Sequence, residues 1–174
     1  ANGAMYGYSA SSAFVLMTVF DVSSAHYGWF LAITGVVMIG SSLLSERIAR
    51  RWSIRKTLDG VMTMMLVSGL AVLAGSLIAT RFEIRGAAGI ALMIVPMLFY
   101  SFTLGIQFPN VTAAALHPVP DISGVASALA GSAQMVGAGL FVWLGGWMFD
   151  GTPATIGYGI ALGGTCAFGL YWFF

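Results

Sequence analysis

The chain has 174 residues, 59% hydrophobic and 7% charged, with a formal net charge of +1. A soluble domain carries about a quarter charged residues, so a water-facing surface cannot be built from this composition, whereas a lipid-facing one can. No basic block suits nucleic acid, and a single cysteine, Cys166, excludes an intramolecular disulfide and a cysteine metal cluster.

A membrane span needs about 20 apolar residues, so the length holds roughly six. Backbone groups in hydrocarbon must bond internally, which leaves helices or a closed barrel. Barrel strands alternate apolar and polar residues over about ten positions. Residues 61–79 do not alternate, so helices are expected.

In chain order, the first span covers roughly 4–20, and Asp21-Val-Ser-Ser closes it. There is no Lys or Arg before Arg47 and no signal-peptide layout. The span starts abruptly, so Ala1 is not expected to be the natural start. The second span covers roughly 27–44, followed by the charge-dense stretch 45–56. The third covers roughly 58–80, with Arg81-Phe-Glu-Ile-Arg85 as the next turn. The fourth covers roughly 87–116 and is long enough to tilt. His117-Pro-Val-Pro-Asp121 breaks it, and Ser123 is expected to cap the fifth span, which ends near 148. Asp150-Gly-Thr-Pro153 is the last turn, and the sixth span covers roughly 154–174.

Arg47, Arg50, Arg51, Arg55 and Lys56 lie on one side, Arg81 and Arg85 on the other. The five-residue side is expected to be cytoplasmic. Both ends then face the cytoplasm. A faint echo links Met38-Ile-Gly-Ser-Ser-Leu43 to Met135-Val-Gly-Ala-Gly-Leu140. These are equivalent places in two sets of three helices, so the repeat would be inverted, a common transporter plan.

Ionisable side chains keep to the span ends, and residues 86–116 hold only Tyr100. A deep charge usually marks a proton relay or ion path, so no coupling site is visible. No paired acid, histidine cluster or Ser/His arrangement at depth supports an enzyme, and no cofactor or metal is expected. Gln134 is the deepest strong hydrogen-bonding group: interhelical glue or a cavity contact. Gln107 and Asn110 flank Pro109, which frees a backbone carbonyl. The two amides either satisfy that backbone or face a cavity, and the first is favoured. Tyr6 and Tyr8 are interfacial anchors, or, with Phe14 and the hydroxyls of Ser9, Ser11 and Ser12, they form a cavity wall for apolar or cationic molecules. Pro96 with Phe99 and Tyr100 is a kink with packing or a second aromatic wall, and the first is favoured. The small residues of the fifth span, Gly124 to Gly146, are expected to let helices approach closely, and Cys166 is read as a packing residue. The basic stretch is chiefly a topology signal. Glu46 or Asp59 pairing with an arginine would make it a gate latch, and anionic lipid is a further partner.

The run Gly105-Ile-Gln-Phe-Pro-Asn-Val-Thr-Ala-Ala-Ala-Leu116, then Pro118 and Pro120, then Gly124-Val-Ala-Ser-Ala-Leu129, resembles the tenth and eleventh helices of the Bcr/CflA-type drug-resistance transporters of the major facilitator superfamily. Ser11-Ser-Ala-Phe-Val-Leu16 and Tyr27-Gly-Trp-Phe30 resemble that family's seventh and eighth helices, and Arg50-Arg-Trp-Ser-Ile-Arg-Lys56 its eight–nine loop. The resemblance implies an all-α integral membrane fold of six spans as two inverted three-helix repeats, one bundle over residues 1–174. It implies proton-driven export of small hydrophobic or cationic molecules across a bacterial inner membrane, with an N-terminal six-helix bundle as partner. The substrate contacts it implies are Tyr8, Phe14, Phe99, Gln107 and Gln134. A self-pairing six-helix protein and a non-transporting scaffold are the alternatives.

Overall fold

A computed structural model describes residues 12, 16–17, 20, 22–84, 86–118, 120–148, 152 and 154–173. Most of the expected first span, including Tyr8 and Phe14, lies outside these. The described residues form five α-helices: α1 (Ser24–Ala49), α2 (Ile54–Arg81), α3 (Gly86–Leu116), α4 (Ser123–Trp147) and α5 (Ala154–Phe173). A 3-10 turn, Pro120–Ile122, leads into α4, and no strand occurs among the described residues. All five helices are long and apolar enough to cross a membrane. The shortest has 20 residues, which at about 1.5 Å per residue matches the ~30 Å hydrocarbon core.

The helices follow spans two to six but run further at the basic stretch. Arg47 belongs to the last turn of α1, and Arg55 and Lys56 to the first turn of α2. Only residues 50–53 remain as loop. Serines cap both helices: Ser23 Oγ accepts from the His26 N–H and Ser53 Oγ from the Lys56 N–H, each at 3.4 Å. Ser123 does not cap α4. The cap position is Ile122, which makes no side-chain bond, and Ser123 is the first helical residue. The 3-10 turn feeds the helix directly and leaves Ser123 one place too late.

The α2–α3 turn has its own device. The Ile84 N–H donates to the Ala79 carbonyl at 3.0 Å, the six-to-one bond of a Schellman ending. Glu83 takes the left-handed position, at φ 48°, where glycine is usual.

Packing runs in a row: α5 lies on α2, α2 on α3, and α3 on α1. Small residues make the row tight. The methyl position of Gly75 on α2 falls on the Leu92 backbone of α3. That of Gly157 on α5 falls on Ser76 and Leu73 of α2, and that of Gly164 lies 3.2 Å from the Met65 carbonyl. The methyl position of Gly105 on α3 falls on Ser41 Oγ and the Met38 carbonyl of α1. Lipid tails are as apolar as leucine, so close van der Waals contact holds spans together. Between the row's helices lies a core of Met65, Met97, Tyr100, Leu104 and Ile160, all fully buried, with Leu16 and Phe20 packed on it.

α4 is different. It touches α3 and α5 only lightly, and Ala138 is its buried residue. Gly124, Gly131, Gly137, Gly139 and Gly146 have nothing within 4 Å of their methyl positions. Among the described residues they therefore receive no close helix. Cys166 is exposed rather than packed; it sits on the side of α5 turned away from α2.

Candidate functional site

The seam between α1 and α3 is polar. Along α1, Tyr27, Phe30, Thr34, Ser41 and Ser45 are buried at three-, four- and seven-residue spacings, which place them on one face. Asn110 on α3 is also buried, and its Nδ2 donates to Ser45 Oγ at 2.6 Å and to the Ile106 carbonyl at 2.7 Å. The amide after Pro109 is thus a clamp between two helices and a backbone partner one turn back. The carbonyl it takes is that of Ile106, one place beyond the Gly105 carbonyl that Pro109 frees. Gln107 does something else: its Nε2 reaches Met62 Sδ of α2 at 3.9 Å.

Phe99 lies in an apolar groove of about 530 Å³ between α2 and α3, lined by Val67, Ser68, Ala71, Val95, Pro96 and Phe102. Its ring stacks on Phe102 with centroids 6.4 Å apart. Helix α3 continues through both Pro96 and Pro109. Gln134 is half-buried on the inward stripe of α4, in register with Ala138 and Phe141. The structure therefore does not gather Phe99, Gln107 and Gln134 into one cavity. Phe99 lines the α2–α3 groove, Gln107 faces α2, and Gln134 stands on α4.

A second cavity, about 510 Å³, lies at the opposite end from the basic loop. Phe20, His26, Tyr27, Phe30 and Ile94 are among its walls. Ser12 Oγ and Tyr27 Oη bond at 3.1 Å beside it. Ser12 belongs to the hydroxyl-rich first span, so one of that span's polar groups is indeed turned inward.

At the basic end, Arg47, Arg50, Arg51, Arg55 and Lys56 are all exposed. Glu46 pairs with Arg50 at 2.7 Å. Glu46 is in the last turn of α1 and Arg50 caps that same helix, four residues on, so the pair latches nothing across helices. Asp59 does not take an arginine either: the Tyr171 hydroxyl donates to its Oδ1 at 2.6 Å. This bond ties the end of α5 to the start of α2. Sequence reasoning missed it, and it missed the Ser45–Asn110 clamp. The available signals were an acid set inside the helical stretch at 59 and hydroxyls repeating along α1. No group of three or more His, Cys, Asp or Glu side chains stands together among the described residues.

Comparison with known proteins adds one relationship. The chain is 26% identical, over 153 residues, to the multidrug resistance protein D of Escherichia coli (strain K12). The match takes in 80% of this chain and 38% of that protein, so the chain spans well under half of its relative's length. No family model matches the chain, and no solved structure matches it.

Proposed function

We propose that this chain is the C-terminal six-helix bundle of a major facilitator exporter of the Bcr/CflA type, which expels small hydrophobic or cationic molecules. The observation that carries this is the likeness to a multidrug resistance protein over four-fifths of the chain. The motifs at residues 105–129 agree with it, as do five apolar span-length helices. In this reading a proton gradient drives export by alternating access. An N-terminal bundle completes the cavity, the bacterial inner membrane houses the protein, and the basic loop faces the cytoplasm. Transport then depends on two bundles rocking about a shared site. The inverted repeat receives support from burial. In the echoed segments, Ser41 and Ala138 are the buried positions, while Ile39 with Val136 and Leu43 with Leu140 are exposed.

The test is efflux of a cationic dye from cells that express the whole protein, with and without a protonophore. Gradient-dependent efflux that falls at least tenfold in the Gln134→Ala variant is the expected result. Liposomes holding only this segment should show no gradient-driven flux. Flux through them would overturn the two-bundle mechanism in favour of a self-pairing protein.

A further inference from the structure

The α1–α2 loop holds a groove that neither the substrate path nor the helix packing uses. Its volume is about 490 Å³, and it is lined by Leu44, Arg47, Ile48, Arg50, Arg51 and Trp52. The charge there is unbalanced. Glu46 neutralises Arg50, and Asp59 is engaged by Tyr171. No ion pair among the described residues serves Arg47 or Arg51, nor Arg55 and Lys56 on the adjoining turn of α2.

An exposed apolar stripe of α1 also runs up to the groove. Trp29, Ile33, Val36 and Leu43 are exposed at 70%, 49%, 69% and 68%. With Gly40, whose methyl position meets nothing within 4 Å, they form one stripe of α1 at three- and four-residue steps. The same stripe ends at Arg47. From Trp29 to Arg47 it rises about 27 Å at 1.5 Å per residue, close to the thickness of the hydrocarbon core. The part from Val36 to Arg47, about 16.5 Å at 1.5 Å per residue, matches the chains of one leaflet, about half of the core, and it leads up to guanidinium groups that no described acid pairs. Trp52, 60% exposed, stands beside them, as tryptophans do at the headgroup level.

We infer that this groove is a binding site for one anionic phospholipid. Its phosphodiester lies between Arg47 and Arg51, and its chains lie along Leu43, Gly40 and Val36. Charge complementarity selects the anionic headgroup, and the apolar strip selects a lipid over free phosphate. Guanidinium forks suit phosphate oxygens bidentately. The inference does not depend on what the protein transports.

The test is native mass spectrometry of the purified protein in detergent, titrated with phosphatidylglycerol or phosphatidylcholine. The wild type should bind phosphatidylglycerol at least tenfold more tightly. The Arg47→Gln/Arg51→Gln variant should lose about thirtyfold of that affinity, the value for two interfacial basic side chains. Glu46→Gln, which frees Arg50, should tighten it several-fold. Millimolar inorganic phosphate should not displace the lipid. Equal binding of the two lipids would overturn the inference. So would an equal loss in Arg81→Gln at the other end of α2, which would reduce the effect to net charge, or displacement by free phosphate. Circular dichroism confirms that each variant keeps its helices, and all four substituted positions are exposed.

Discussion

The Asn110–Ser45 clamp is expected to stabilise the bundle by about 1 kcal/mol in a measurable, non-additive way. Interhelical hydrogen bonds in membranes average about 0.6 kcal/mol, with a maximum near 1.7. This one is short, at 2.6 Å, and both residues are buried, at 6% and 3% exposure, which places it in the upper part of that range. Asn110→Leu removes the clamp and also the bond to the Ile106 carbonyl. The Ser45 hydroxyl can then turn back to a carbonyl of its own helix, which limits the cost to about 1–2 kcal/mol. Ser45→Ala strands an amide donor instead and costs about 1 kcal/mol. In the double variant the stranded donor is gone, so the two losses overlap. The assay is equilibrium unfolding by dodecyl sulfate in mixed micelles, followed by circular dichroism, for all four corners of the cycle. A coupling energy below about 0.3 kcal/mol, within the scatter of independent sites, would refute the clamp. Loss of export in Asn110→Leu with stability intact would make Asn110 a cavity residue instead.

Glycines on the packed row and on α4 should respond oppositely. Gly157→Ala drives a methyl into Ser76 and Leu73 and should cost about 1–3 kcal/mol as overpacking; Gly131→Ala, with nothing within 4 Å, should change the unfolding midpoint little, and similar losses in both would refute the packing map. Tyr171→Phe removes the bond to Asp59 and should cost about 0.5–1.5 kcal/mol, while the same change in an Asp59→Ala background should cost nothing further; an undiminished second loss argues against the bond. Glu83 holds a positive φ, so Glu83→Gly should stabilise by about 0.5 kcal/mol and Glu83→Val destabilise by about 1–2, and midpoints moving in the same direction would contradict the Schellman ending.

The fold was legible where length and apolarity decide it. Residues 86–116 form one helix in spite of Pro96 and Pro109, because no charged group interrupts the apolar run. The ends were less legible. Helix α1 continues five residues past Leu44 through Glu46 and Arg47, because a helix that has crossed the bilayer can extend into water where an i, i+4 pair supports it. Ser123 misled as a cap because the 3-10 turn before it is invisible in a Pro-Val-Pro pattern. Site geometry was the least legible. Sequence placed Gln107 and Asn110 together around Pro109, yet three residues of helix turn them toward different neighbours, Met62 on α2 and Ser45 on α1. Composition cannot resolve that rotation.

The proposed repeat bears on Gln134. In its register the second and fifth spans are mates, as are the first and fourth. Mates that serve only as scaffold should carry similar residues at equivalent places, as Ser41 and Ala138 do. Gln134 breaks the rule, because the echo sets Val37 opposite it. A scaffold that works with valine on one side does not require an amide on the other. In the transport reading proposed above, the amide at 134 is assigned to contact with the transported molecule. On that reading, Gln134→Val should lower dye export per folded molecule at least tenfold, beyond what any change in its unfolding free energy explains. A loss of stability near that of Asn110→Leu, with export per folded molecule unchanged, would return Gln134 to the scaffold.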